Sequence, residues 1–431
     1  MGNFAVNKIS RRAVIRAGAS AGLLGAVNAV YSPAIAQTRT IKIGYISPQS
    51  GPLALFGEAD AFILDAIRGA LEGGVSVGGK SHPVEILTRD TQSNPNRAAE
   101  VANDLISGAK VDLVVVASAP ETVNPVSDQC ELNGVPCISS ICPWQPWIFG
   151  RGSTPDKGFA STFHFFWGLE DITTVFANMW DMIPTNKSVG GLFPNDEDGK
   201  GWGDDKVGVP PLLKARGYNT TKSGFYKNLS DDFSAIISTF KHANCELITG
   251  PPIPPDFTTF WTQARQQGFK PKVASVAKAI LFPGAVEALG DAAHNLSSEI
   301  WWSPRHPFQS SISGFSAQRL AEEYTAATGK QWTQPIGFIH ALFEVAIDVI
   351  KRTAEIGNPG AMISAMRDTT VDTVVGKVDW KTSKIKNVAK TPLVGGQWRL
   401  SKGGKYKYDL VITSNATAPN IPVAGEMQPI T

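Results

Sequence analysis

Four sets of residues in this chain carry side chains with chemical potential. The acidic run Asn195-Asp196-Glu197-Asp198-Gly199 has the oxygen density of a calcium loop. Lys200 and Trp202 stand at later ligand positions and the closing Glu is missing, so the run reads as a solvated loop. Cys130, Cys137 and Cys142 cluster while Cys245 stands alone, with no Cys-x-x-Cys pair and no matching His pair to make a zinc site. Cys130 and Cys137 flank an Asn133-Gly134 turn and are a possible disulfide; four buried small apolar residues are the equal alternative. Glu121 and Asp90 would make paired carboxylates only if the fold brought them together. Finally, Trp144, Trp147, Trp167, Trp202, Trp261, Trp301 and Trp302 fall in or beside expected loops. No Gly-x-Ser-x-Gly elbow, His-Glu-x-x-His helix or Walker loop is present. The chemistry expected is therefore binding without catalysis, cofactor or metal.

The elements that must position such a site are legible from residue 41 onward. Ile41, Ile43 and Ile46 give a short β-branched strand, Ser47-Pro48-Gln49-Ser50-Gly51-Pro52 a turn, and Ala59, Phe62, Ile63 and Ile67 a helical stripe. Strand, Gly/Pro turn and helix form the first unit of a doubly wound α/β sheet. Ligands of such sheets sit at the carboxyl ends of the strands, which puts Phe56 on a binding edge. The same alternation continues through Val84–Leu87, Asn96–Ser107, Val111–Ala117, Thr122–Leu132 and Gly134–Ser139. Val111–Ala117 is apolar throughout, as expected of a strand covered on both faces. Past the Gly/Pro-rich stretch 150–158 a second set of strands and helices runs to Val273–Ala277, and strongly periodic helices follow at Ser316–Thr328 and Phe338–Ile356.

The first 36 residues read as an export signal. Lys8, Arg11 and Arg12 precede an Ala/Gly-rich apolar run, and Ala34-Ile35-Ala36 offers a small-x-small cleavage site. Ser10-Arg11-Arg12 before Val14 and Ile15 has the form of a twin-arginine signal, with cleavage expected after Ala36 and a periplasmic destination. About 390 residues remain, enough for two lobes. Net charge is +2 and no basic run interleaves with aromatics, which argues against nucleic-acid partners.

The turn SGPLALFG (50–57), the Asp90 turn, VASAPETVNPVSDQ (116–129), GVPCISS (134–140), DDFSAIISTFK (231–241) and TVDTVVGKVDW (370–380) resemble, in order and spacing, the type I periplasmic binding proteins that serve branched-chain amino acid ABC transporters. The resemblance covers nearly the whole mature chain. It implies two doubly wound parallel-sheet lobes joined by a three-segment hinge, with crossings near 158–163, 299–303 and 376–380. The lobes would be 37–160 plus 302–376 and 161–301 plus 377–413, with 414–431 a loosely ordered tail. It also implies capture of one small molecule by hinge closure, delivery to an ABC permease and its ATPase, and a monomer.

Amino-acid binders of this family hold the ligand carboxylate on the loops after the third and fourth strands. Ser118, Thr122, Ser140, Ile141 and Cys142 fall there, although Pro120 and Pro143 remove two N–H donors. Where an acidic residue normally meets the ligand ammonium, this chain has Lys278, which would attract a carboxylate instead. Phe56, Trp144, Trp202 and Phe338 are the expected walls. His164 could reach the cleft, a structural hydrogen bond being the plainer role; Arg305-His306 suits the hinge surface, and Arg151 a surface salt bridge of little worth. The expected ligand is a small aromatic or apolar carboxylate. The alternatives are a branched-chain or other hydrophobic amino acid, or a sensory module that signals closure to a different partner.

Overall fold

The computed structural model describes residues 38–430, so the export signal expected at 1–36 lies outside the described residues. In chain order the first strands are β1 (Ile41–Ser47), the small hairpin β2 (Val75–Val77) and β3 (Lys80–His82), β4 (Val84–Asp90), β5 (Leu113–Ala117), β6 (Cys137–Ser140) and β7 (Thr162–Phe165). The second series is β8 (Ser188–Pro194), β9 (Asn219–Tyr226), β10 (Leu247–Gly250), β11 (Val273–Val276) and β12 (Ser297–Ile300). A hairpin of β13 (Thr370–Thr373) and β14 (Gly376–Asp379) follows, then β15 (Val388–Ala389), β16 (Val394–Leu400) and β17 (Tyr408–Ser414).

Two sheets result. The first runs β15-β7-β6-β5-β1-β4 with every pairing parallel. The second runs β17-β16-β12-β11-β10-β8-β9, parallel except for β16 and β17, which add antiparallel at one edge. All five residues of β5 are buried, because helices cover both faces of the sheet. The helix Pro335–Arg352 shows the same logic: it is apolar almost all round and buried almost all round, packed on β5 and β6 of the first lobe. Proline at its first position supplies a fixed φ where the helix needs no N–H donor.

The chain crosses between lobes three times. The first crossing follows Phe165 and enters the helix Leu169–Trp180, which packs on β12, β16 and β17. The second follows Ile300, where Gln334 pins the strand exit by accepting from Trp301 N at 2.8 Å and donating to the Glu299 carbonyl at 3.2 Å. The third runs between Ala389 and Val394, later than the expected 376–380, because Val388 and Ala389 still pair with β7 of the first sheet. Lys390, inside that crossing, binds Glu170 at 2.8 Å and Asp171 at 2.7 Å on the helix that begins the second lobe.

The tail from Ser414 is ordered, against expectation. Ala418, Ile421 and Met427 are buried. Backbone groups of residues 428–430 bond to Gln397, Asn295 and Lys272, so the tail clamps the edge of the second lobe.

Candidate functional site

The carboxyl ends of the two sheets face one another across a cleft. Its lining comes from Phe56, Ala119, Ile141 and Pro143 on the first lobe and Asp198, Trp202, Ala277, Lys278 and Leu281 on the second. Phe166, Trp167, Glu299 and Trp301 close it at the hinge. The lobes stand shut: Phe56 meets Phe282 edge-on at 4.9 Å, and Asn124 Nδ2 donates to Glu197 Oε2 at 2.8 Å. What is left between the walls is a cavity of about 20 Å³, room for about one water molecule. A ligand the size of an amino acid must therefore enter with the lobes parted.

Each wall is set by local sequence. Asp90 accepts from Gln49 N at 2.8 Å and from Ser50 Oγ at 2.6 Å, so it pins the first turn and carries Phe56 to the cleft. Glu121, the other member of the carboxylate pair considered from sequence, faces Lys278 instead, and the two acids serve different elements. Ile141 and Lys278 hold left-handed backbone (φ 71 and φ 59), a conformation rare for non-glycine residues and outlying for a β-branched one. Such strain is of order 1–3 kcal/mol per residue and gathers at functional sites.

The charge distribution differs from the one expected for Lys278. Its ammonium lies 2.9 Å from Glu121 Oε1, 3.1 Å from Asp198 Oδ2 and 3.9 Å from Asp196 Oδ2, and the residue is buried. Lys278 does line the cleft, but its charge is already met by the protein's own carboxylates. Burial pushes the Glu121 and Asp198 carboxyls up, and Lys278 pulls both back. The three acids in turn raise Lys278, outweighing its desolvation. Burial also lifts Glu299, on the cleft wall, to about 8, with Ser298 Oγ donating to it at 2.8 Å. The run 195–199 is thus no solvated loop. Asp196 caps the short helix Glu197–Trp202 by accepting from Gly199 N at 2.7 Å, and that helix carries Asp198 inward to Lys278.

The remaining expected contacts divide. Phe56, Ile141, Trp202 and Lys278 line the cleft. Ser118 lies buried beside Ala119 with no hydrogen-bond partner for its Oγ among the described residues. Thr122 Oγ1 turns back to the Ala119 carbonyl at 3.4 Å, and Ser140 Oγ donates to the Phe165 carbonyl at 2.6 Å, so both serve the fold. Cys142 is buried and its carbonyl pairs with His164 Nε2 at 2.8 Å. Trp144 is turned from the cleft by its indole N–H, which donates to Glu170 at 3.0 Å across the first crossing. Gly168 leaves the space for that bond, since a Cβ there would sit 2.1 Å from Trp144 Nε1. Phe338 stands one layer behind the wall, packed on Trp301 at 5.1 Å and Phe166 at 5.0 Å.

His164 bonds Ser139 at 2.9 Å and stacks on Trp147, and burial drives its pKa down to about 3, so it is a neutral structural residue. His306 is likewise buried and bonded to Ser303 at 3.0 Å. Arg151 is no surface bridge: its guanidinium packs over Phe159 at 3.7 Å while Nε binds Asp128 at 2.7 Å. All four cysteines are free and buried, so the Cys130–Cys137 bridge is not formed. Burial first, then the adjacent Cys137, raises the Cys130 thiol, which suppresses the thiolate that disulfide chemistry needs.

Sequence reasoning missed Asp198, Glu299, Phe166, Leu281 and the function of Glu121. Trp167 and Trp301 stood among the candidate aromatics but had no assigned role. Both residues line the cleft, and their indole N–H groups are buried with no partner among the described residues.

Two hinged α/β lobes with an aromatic, charged cleft between them define a closing receptor for a small molecule. The chain belongs to the periplasmic binding protein family, whose model matches residues 40–405. Its fold is similar to a leucine-binding protein of Thermotoga maritima at 20% identity, covering 86% of this chain and 98% of that one with a TM-score of 0.68. A branched-chain amino acid transporter substrate-binding protein of Streptococcus pneumoniae, solved with isoleucine, aligns at 17% identity over 86% of this chain and all (100%) of that one, TM-score 0.67. An ABC transporter solute-binding protein of R. palustris, solved with 4-hydroxybenzoate, aligns at 18% identity over 90% and 98%, TM-score 0.69.

Proposed function

We propose that this protein is the extracytoplasmic solute receptor of a branched-chain-amino-acid-type ABC transporter. Hinge closure over one small ligand produces the form that the permease and its ATPase recognise. Export by the N-terminal signal, cleavage after Ala36, a periplasmic location and action as a monomer belong to the same reading.

The ligand class rests on one observation: the single ammonium of Lys278 is opposed by three carboxyls, those of Glu121, Asp198 and Asp196. A ligand carrying only a carboxylate would enter a site already in surplus of negative charge, which is costly where water is excluded. A ligand with a cationic centre reduces that surplus. The free indole N–H groups of Trp167 and Trp301 suit a carboxylate or amide oxygen at its other end. Phe56, Phe166, Trp202 and Leu281 suit an apolar or aromatic body. The ligand is therefore a hydrophobic or aromatic amino acid or its amide, and Lys278 organises the carboxylates without meeting a ligand acid itself.

Thermal unfolding against leucine, valine, phenylalanine, their amides and benzoate tests this. At ~100 times its Kd a ligand adds about 2.7 kcal/mol of stability. Stabilisation by amino acids is the expected result; stabilisation by benzoate alone refutes the ligand class.

A further inference from the structure

Glu121 and Lys278 belong to different lobes. Glu121 sits in the first turn of the helix Pro120–Asn133 that follows β5, and Lys278 follows β11. Asp196 and Asp198 lie on the same lobe as Lys278, so the ammonium has two carboxylate partners before the other lobe arrives. Glu121 is the extra acid brought in by closure. Its Oε1 makes the shortest of the three contacts, 2.9 Å, while Oε2 has no hydrogen-bond partner among the described residues. Burying a half-satisfied carboxylate is unfavourable, and a stability role is better served by an apolar side chain.

We propose that Glu121 sets the charge selectivity of the cleft: it is a tethered carboxylate that occupies the ammonium an acid ligand would need. Because it is covalently part of the opposite wall, its effective concentration at Lys278 is of order mM or higher, and it has no translational freedom left to lose on closure. A free aromatic acid must displace it. The proposal rests on reading the cleft as the ligand site, and it assigns acid exclusion to one residue, separately from which amino acid is preferred.

Calorimetric titration of the mature protein and its Glu121→Gln variant with benzoate and with leucine tests it. Glutamine keeps the size and removes the charge, so benzoate affinity is expected to rise by about tenfold or more, which is about 1.4 kcal/mol. A folded variant that binds benzoate no better than the parent overturns the proposal. Leucine reports on the ligand class alone: failure of both proteins to bind leucine, with the benzoate gain intact, removes the ligand reading and leaves the role of Glu121 standing. Glu121→Ala is the second variant should the amide not be accommodated. On the parent chain, a crystal structure grown in benzoate with the acid on Lys278 Nζ and Glu121 still paired refutes the idea. Glu121 displaced, or no benzoate at Lys278, supports it.

Discussion

Substituting Lys278 with methionine removes the ammonium and leaves Glu121, Asp196 and Asp198 facing one another. The lost contacts are those at 2.9, 3.1 and 3.9 Å, made by a lysine side chain only 4% exposed. Removing one partner of a buried ion pair costs about 3–5 kcal/mol, because an uncompensated charge stays behind. For about 390 ordered residues the unfolding entropy is about 0.8 kcal/mol/K, so the expected fall in Tm is about 4–6 °C. The loss must also depend on pH. Burial holds the folded pKa values of Glu121 and Asp198 above their unfolded values, so their favourable contribution is complete below the ordinary carboxylate range and fades as pH rises through the folded values. Without Lys278 both rise further, and the variant loses more than the parent as pH increases. Lys278 itself is raised, so its own contribution is complete throughout pH 5–8.5. Guanidinium unfolding followed by tryptophan fluorescence at pH 5 and pH 8.5 measures the gap. A loss under about 1 kcal/mol at pH 8.5, or a gap wider at pH 5 than at pH 8.5, refutes the reasoning.

Three further outcomes are expected. Glu299→Gln should match the parent near pH 4, where both side chains are neutral, and exceed it at pH 8.5 by about 1 kcal/mol or more, since the folded pKa is lifted to about 8; chemical denaturation at the two pH values decides it. Trp202→Ala should weaken ligand binding by about tenfold or more through loss of an aromatic wall, whereas Trp144→Phe should leave affinity unchanged and cost about 0.5–1.5 kcal/mol of stability through its bond to Glu170. Equal effects of the two on affinity would contradict the placement of Trp144. Alkylation of the denatured, unreduced protein should add four adducts by intact mass; two would reveal a disulfide where the fold has free thiols.

The strand and helix order was legible because it depends on local periodicity. β1 and β5 are short and buried on both faces, and their apolar runs announce it. The amphipathic stretch 96–107 likewise became the helix Pro95–Asn103 and the wider turn Asp104–Ala109. β9 lacked such a signal: it is a half-exposed edge strand whose polar and apolar residues follow no strict alternation. The third crossing was misplaced because two residues, Val388 and Ala389, are too short a run to read as a strand until β7 lies beside them. Among site residues, Phe56 could be found because it follows a strand end fixed by nearby sequence, and Trp202 through the resemblance to the family. Trp144 also follows a strand, but its orientation is fixed by Glu170, a residue distant in the chain.

The sequence by itself determined the βα alternation, since that follows from patterns within a few tens of residues; the two lobes and an aromatic cleft with Lys278 on its wall are what its resemblance to the family implied. Only the tertiary structure decided what that lysine means. Its nearest partner, Glu121, is 157 residues away in the chain and on the other lobe. A charge acts through space and through the burial around it. Neither the distances nor the exclusion of water exists until both lobes are folded and closed.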